Sequence, residues 1–191
     1  MAQTPSTMLD LGTEAPAFSL PDPANGNEVS LADYAGQSLL VVFSCNHCPY
    51  VLHIIESFAE FARDARSRGL GVVMISANDV DDFPDDGPEK MVALGRRLGF
   101  DFPYLYDESQ RTAIAYRAAC TPDFFLFDAE HRLVYRGQYD ASRPGNGVSV
   151  SGADLKAAVD ALLDGGELPA EQIPSVGCNI KWRSGNEPDY F

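Results

Sequence analysis

The sequence predicts a single mixed α/β domain, and two patterns along the chain support this fold class. Short continuous apolar runs, typical of strands buried on both faces, alternate with segments whose apolar residues recur at helical spacing. Near residue 130, two apolar runs separated by a short turn favour a pair of antiparallel strands. This order indicates a central mixed sheet with helices on both faces. The length of 191 residues suits one domain over 1–191, with a core of about 12–168 and a C-terminal docking tail over 169–191.

The first predicted elements are a small hairpin and one strand with its following helix. Residues 14–31 favour an N-terminal hairpin with its turn at Asn25-Gly26, because this dipeptide suits a tight turn. The apolar run 39–44 predicts a buried strand. Apolar residues at helical spacing from Val51 to Ala65 predict a helix that ends near Gly69.

The second half of the chain continues this alternation. Residues 71–76 predict another buried strand, and a helix is expected to begin at Pro88 and end at Gly99, since proline suits the first helical turn and glycine the position after the last. Ser151 is predicted to cap the last helix, which Gly165-Gly166 ends. The remaining predicted elements are a strand at 104–106, a helix at about 109–116, and strands at 124–127 and 133–137.

The feature that carries chemistry is the pair Cys45 and Cys48, which follows the strand at 39–44 and precedes the first long helix. Two thiols at this spacing reach one disulfide, and the unpaired N–H groups of a first helical turn favour a thiolate. We expect Cys45 to be the exposed attacking sulfur and Cys48 to resolve the mixed disulfide. The imidazole of His47 is expected to lower the pKa of a neighbouring sulfur and make the disulfide more oxidising.

A Cys-x-x-Cys pair can also be half of a zinc site. No second such pair follows, and a tetrahedral site would have to recruit His47, Cys120 or Cys178 from scattered positions, so we predict no metal and no cofactor. The acidic run 79–86 lacks the ligand spacing of a cation site, and we interpret it as a solvated loop.

The composition and charge of the chain restrict the classes of binding partner and the cellular compartment that we expect. The net charge of -14 argues against nucleic acid and anionic membranes as partners. The N-terminal residues show neither a basic region nor an apolar segment of signal length, and no stretch is long enough to span a membrane, so we expect a cytoplasmic protein. In a reducing compartment, four cysteines point to catalysis or redox sensing rather than to structural disulfides.

Three motifs together give the chain a family resemblance: residues 43–50 (FSCNHCPY), 119–127 (ACTPDFFLF) and 177–182 (GCNIKW). Over about 12–182 the chain resembles the thioredoxin-fold superfamily, and within it the peroxiredoxin-like and thioredoxin-like proteins of the alkyl hydroperoxide reductase/thiol-specific antioxidant type. The resemblance implies a thioredoxin-like fold, an active-site dithiol at the first long helix, and a cis-proline loop facing it. Pro122 matches that loop, and Thr121 would present unpaired backbone groups to a substrate strand beside Cys45.

The chain also departs from the patterns of both groups. A peroxiredoxin has a threonine three residues before its peroxide-reactive cysteine and a proline further upstream. Here Cys48 is the nearest match to that cysteine, whereas Cys45 occupies the threonine position and Val41 lies where a proline would be sought. The Trp-Cys-Gly-Pro-Cys motif of thioredoxin is replaced by Ser-Cys-Asn-His-Cys over 44–48.

Two further cysteines lie outside the motif. We interpret Cys120 mainly as a buried structural thiol, whereas Cys178 lies in a tail that could dock through Ile180 and Trp182. Either a packing role or a relay of the disulfide remains open for Cys178.

The preferred function is that of a thiol-disulfide oxidoreductase acting on protein or small-molecule disulfides and thiols, with Thr121 and Pro122 as the substrate-binding loop. The alternatives are a thiol peroxidase that uses Cys48 or Cys45 on hydroperoxides, and a redox-sensing or metal-binding module without turnover.

Overall fold

The fold is described for residues 3–190 in a computed structural model; residues 1, 2 and 191, which include both bounds of the predicted domain, lie outside the described residues. The strands are β1 Gln3–Pro5, β2 Ser19–Pro21, β3 Glu28–Ser30, β4 Leu39–Phe43, β5 Gly71–Ser76, β6 Tyr104–Tyr106, β7 Cys120–Thr121, β8 Asp123–Phe127, β9 Leu133–Tyr135 and β10 Val176–Asn179. The helices are α1 Pro49–Ser67, α2 Pro88–Leu98, α3 Arg111–Ala115 and α4 Ala153–Asp164, with 3₁₀ turns at Leu31–Tyr34 and Pro84–Asp86.

The central sheet is mixed, as predicted. Its five strands lie in the order β6-β5-β4-β8-β9. The first three are parallel to one another, and β8 is antiparallel to both β4 and β9. The central strand β4 is buried along its whole length, which explains why its sequence is a continuous apolar run instead of an alternating one.

Successive side chains of β4 enter two different hydrophobic cores, because side chains in a strand point alternately to opposite faces. Leu40 and Val42 belong to the core formed with α1, α2 and α4. Leu39 and Phe43 belong to the core on the other side, which includes residues of the N-terminal hairpin and of α3. Both faces of the sheet are thus covered by helices, as the sequence predicts.

The start of α4 differs from the prediction. Gly152, and not Ser151, is its N-cap residue, with φ of 65°. The carboxylate of Asp140 accepts the N–H groups of Ser151 and Gly152, each at 2.6 Å. A Cβ atom at position 152 would lie 2.6 Å from the ring of Tyr139. The left-handed conformation and the close packing together place glycine at the cap.

The strands near the two ends of the chain pair with each other and with β7 in a small sheet, and the N-terminal hairpin is a second small sheet. The predicted hairpin is present as the antiparallel pair β2 and β3. The predicted docking tail forms more than a packing contact, because β10 lies as a strand between β1 and β7. Beyond it, Ile180 is buried in the core. Within residues 3–190, no helix combines the length and the apolar character needed to cross a membrane.

Candidate active site

Cys45 and Cys48 lie in the loop between β4 and α1, as predicted. Cys48 is the N-cap residue of α1 and has extended backbone angles, and Pro49 occupies the first helical turn. This position places the sulfur of Cys48 at the end of a long helix where N–H groups lack helical partners. The four cysteines all lie in the described part of the chain, and none of them forms a disulfide.

Both sulfurs are enclosed by the protein. The exposed fraction is 1% for Cys45 and 0% for Cys48. The Cys45 sulfur lies 3.3 Å from the hydroxyl oxygen of Thr121, and the Cys48 thiol donates to the carbonyl oxygen of Thr121 at 3.2 Å. The prediction that Cys45 is exposed is therefore wrong, because the loop that carries Thr121 packs directly on the dithiol.

The two thiols differ in acidity because they share a hydrogen bond. The hydrogen bond from Cys45 is the largest of the effects that lower the pKa of Cys48 to about 5, and interactions with Cys178 and the backbone N–H of Val51 add to it. The same hydrogen bond, together with burial and the charge of Asp86, raises the pKa of Cys45. Cys48 is therefore the thiol with the lower pKa of the pair.

His47 is held in place by a buried carboxylate. Its Nδ1 atom lies 2.7 Å from an oxygen of Asp86, and its ring stacks on Phe83 with centroids 5.6 Å apart. Asp86 also accepts the backbone N–H groups of Asn46 and His47, at 2.7 and 3.3 Å, and the side-chain amide of Asn78 at 2.7 Å. This carboxylate therefore fixes the conformation of the motif between the two cysteines.

The role of Asp86 is not predicted from the sequence. The interpretation of 79–86 as a solvated loop is wrong for this residue, whose exposed fraction is 0%, and for Asp79, which is 8% exposed. Asp86 is 39 residues from His47 in the chain. No local pattern signals such a pair, since nothing in an acidic run shows which carboxylate will turn inward.

The same groups include a set of possible metal ligands. One ligand atom each from Cys45, His47 and Asp86 lies within 4.8 Å of the others. Thiolate, imidazole and carboxylate are all zinc ligands, but a structural zinc site has four ligands and this set offers three. In addition, the Asp86 oxygens already accept the N–H donors described above.

The proline loop also faces the dithiol. The Thr121–Pro122 peptide bond is cis, as the family resemblance implies. However, Thr121 does not present unpaired backbone to a substrate: β7 pairs with β10, and Thr121 lies opposite Cys178. The expectation of an unpaired Thr121 is therefore wrong, because the chain's own C-terminal strand occupies this edge.

Both remaining cysteines are buried near this loop. The Cys178 thiol has a hydrogen-bonding interaction with Cys48, and burial followed by this interaction raises the pKa of Cys178 to about 12. Cys120 is 0% exposed, and its thiol donates to the Pro122 carbonyl at 3.6 Å. Burial raises the pKa of Cys120, so its environment is that of the buried thiol predicted from the sequence.

A buried ion pair between Arg136 and Asp123 lies next to the proline loop. Arg136 donates to the carboxylate of Asp123 at 3.0 Å and to the hydroxyl of Ser6 at 2.8 Å, and its guanidinium lies over the ring of Phe125. The exposed side-chain fractions of Arg136 and Asp123 are 0% and 1%. Asp123 also accepts the backbone N–H of Ala119. The pair thus connects the proline loop to β9 and to the N-terminal segment.

Comparison with known proteins shows the family to which the chain belongs. The AhpC/TSA family model matches residues 11–136. A Mycobacterium tuberculosis protein named "Putative peroxiredoxin" is 37% identical over 116 residues, which cover 60% of this chain and 68% of that protein.

Two solved structures extend the similarity to nearly the whole chain and to the fold. A hypothetical protein of Sinorhizobium meliloti is 52% identical, with a TM-score of 0.92 over 95% of this chain and 100% of that one. A thiol:disulfide interchange protein of the thioredoxin family from Chlorobium tepidum is 20% identical, with a TM-score of 0.62 over 82% of this chain and 99% of that one. The second similarity shows that the fold is thioredoxin-like.

Proposed function

The chain belongs to the AhpC/TSA family of thioredoxin-like redox proteins, and from this premise we propose that it is a thiol-disulfide oxidoreductase whose Cys45 and Cys48 alternate between dithiol and disulfide. The observation that carries the proposal is that both sulfurs meet at Thr121, with Cys45 3.3 Å from its hydroxyl and Cys48 3.2 Å from its carbonyl oxygen. The hydrogen bond between the thiols lowers the pKa of Cys48 to about 5 and raises that of Cys45. A thiolate next to a protonated thiol is the arrangement that a dithiol reductant needs, because the first attacks and the second resolves.

The proposed reaction begins at Cys48. Its thiolate attacks one sulfur of a substrate disulfide, and the other substrate sulfur leaves with the electron pair of the broken bond. The Cys45 sulfur then attacks Cys48, and the second substrate thiolate departs and takes up the proton that Cys45 loses. The substrate gains two electrons, and the protein holds a Cys45–Cys48 disulfide.

His47 and Asp86 act in this proposal as positioning residues. Asp86 accepts the N–H groups of Asn46 and His47 and so fixes the chain between the two sulfurs. Its charge also favours the protonated form of Cys45, which keeps the resolving thiol neutral until the mixed disulfide has formed.

Hydroperoxide reduction is a second candidate, and the burial of both sulfurs favours it. A small oxidant needs less opening of the site than a protein disulfide does. The Cys48 thiolate would attack the O–O bond, release an alcohol or water after protonation, and become a sulfenic acid. Cys45 would then displace water to give the same Cys45–Cys48 disulfide. Cys48 is also the nearest match to the peroxide-reactive cysteine of peroxiredoxins.

The test is a single-turnover oxidation of the fully reduced protein by insulin, oxidised glutathione or hydrogen peroxide, each in a separate reaction. We expect two thiols per chain to be lost, with a faster reaction for the physiological class of oxidant. Cys48→Ser should abolish the reaction, whereas Cys120→Ser, which alters a buried thiol with a different partner, should retain it.

The roles of the two cysteines are tested by trapping. In a Cys178→Ser background, Cys45→Ser should accumulate a mixed disulfide with glutathione on Cys48, because neither neighbouring thiol is left to resolve it. Accumulation on Cys45 in the Cys48→Ser variant instead would restore the order expected from the sequence. A wild-type protein that never forms a disulfide between Cys45 and Cys48 would refute the proposed function.

A further inference from the structure

The C-terminal strand lies where the family resemblance places a substrate strand. In the antiparallel pair of β10 and β7, Cys178 is opposite Thr121 and Asn179 is opposite Cys120. On its other side β10 pairs with β1, with Cys178 opposite Gln3. The backbone beside the dithiol is therefore paired with the chain itself, in the way an added peptide strand would pair.

The approach of β10 to the proline loop is so close that it requires glycine. A Cβ atom at Gly177 would lie 2.0 Å from the carbonyl oxygen of Thr121 and 3.2 Å from the nitrogen of Pro122. This contact brings the next residue, Cys178, against the active site. Interactions of Cys178 with Cys48 through both side chain and backbone help to lower the pKa of Cys48.

We propose that β10 is a built-in substrate strand and that Cys178 is the second disulfide partner of Cys48, so that the active-site disulfide moves from Cys45–Cys48 to Cys48–Cys178. This inference rests on the proposed function, because the Cys45–Cys48 disulfide is its starting material. The observations that support the inference are separate from those that support the proposed function. They are the position of β10, the contact at Gly177 and the thiol beside Cys48.

The step is an isomerisation and needs no external oxidant. The Cys178 thiolate attacks the Cys48 sulfur, a Cys48–Cys178 bond forms, and the Cys45–Cys48 bond breaks. The electron pair of the broken bond leaves with Cys45, which takes up the proton that Cys178 lost. After the step, β10 is covalently attached beside the proline loop and Cys45 is again a thiol.

Tryptic peptides separate the two disulfides. Cys45 and Cys48 lie in peptide 1–63, Cys178 lies in 157–181 and Cys120 lies in 118–132. We would oxidise the reduced protein with one equivalent of diamide, quench it in acid, alkylate the remaining thiols and digest it without reduction. A Cys45–Cys48 disulfide stays within peptide 1–63, whereas a Cys48–Cys178 disulfide joins 1–63 to 157–181.

In wild-type protein we expect both products, and in Cys45→Ser we expect the joined peptides as the main product. Cys48→Ser should give at least tenfold less of this product. Gly177→Ala should reduce its yield but retain the disulfide within 1–63, because the added methyl group displaces β10 from the loop. Gly166→Ala is the matched control, since its Cβ atom would meet only Ala161, at 3.4 Å.

The outcomes distinguish the two proposals. This inference would be overturned if wild-type protein formed the Cys45–Cys48 disulfide but Cys45→Ser gave no joined peptides. That result would leave the proposed function intact. Joined peptides of equal yield in Gly177→Ala would overturn the role of the β10 position. The absence of any disulfide in the wild-type protein would refute the proposed function itself.

Discussion

Replacement of Asp86 by asparagine tests whether this buried carboxylate holds the active-site loop. One oxygen of Asp86 accepts the backbone N–H groups of Asn46 and His47, and the other lies 2.7 Å from both the His47 Nδ1 atom and the Asn78 amide. Asparagine is nearly the same shape, but one of its two terminal groups is an N–H donor. Whichever way the amide turns, its NH₂ group faces at least one donor, either the Asn78 amide or the backbone N–H groups of Asn46 and His47, and the charge that strengthens the other hydrogen bonds is gone.

The expected cost is about 3 kcal/mol or more of unfolding free energy, because hydrogen bonds to a charged group contribute about 1.5–3 kcal/mol each. With a urea dependence of roughly 2 kcal/mol per M, the midpoint of urea unfolding should fall by about 1.5 M. The matched control is Asp85→Asn. Asp85 is the exposed neighbour, and its change should cost less than about 0.5 kcal/mol.

A second readout separates a local effect on the site from a general loss of stability. Because the charge of Asp86 raises the pKa of Cys45, its removal should lower that pKa. Thiolate absorbance near 240 nm, titrated in the Cys48→Ala background, measures this change. Equal unfolding midpoints for Asp86→Asn and Asp85→Asn, or an unchanged Cys45 titration, would refute the reasoning.

Three other predictions concern the thiols and the support of the proline loop. The thiolate absorbance of reduced protein should show a transition near pH 5 that is absent in Cys48→Ala. Alkylation of Cys48 should slow by about tenfold per pH unit below that point, because only the thiolate reacts. A flat alkylation rate from pH 7 to 4 would contradict the assignment. The isomerisation to Cys48–Cys178 should accelerate as pH rises, by up to about tenfold per pH unit. Burial raises the pKa of Cys178, so the fraction of its attacking thiolate grows with pH. The yield of joined peptides against time measures the rate. Arg136→Met leaves the Asp123 carboxylate buried without its ion partner and should cost about 3–5 kcal/mol of unfolding free energy. In urea unfolding, the control Arg132→Met, which breaks an exposed pair with Glu14, should cost at most about 1 kcal/mol.

The elements of the fold could be predicted closely where local physics decides them. The strand at 71–76 and the helix from Pro88 to Gly99 follow the predicted bounds. The predicted hairpin is present, but its connection spans 22–27 and is longer than the tight turn expected at Asn25-Gly26. Continuous apolar runs mark strands that are buried on both faces, and proline and glycine mark helix ends through their own backbone preferences. The place of the dithiol, between a buried strand and a helix start, follows from the same local signals.

Contacts between segments that are distant in the chain could not be predicted from the sequence and depend on the folded structure. The sequence places His47 between two cysteines, but only the folded chain brings Asp86 to it and turns this one carboxylate of the acidic loop inward. The burial of Cys45, the pairing of Thr121 with Cys178 and the lower pKa of Cys48 depend in the same way on packing between loops. The physical reason is that hydrophobic periodicity and capping act over a few residues. Burial and electrostatics at a site depend on which segments the fold brings together, and no local period of the sequence encodes that.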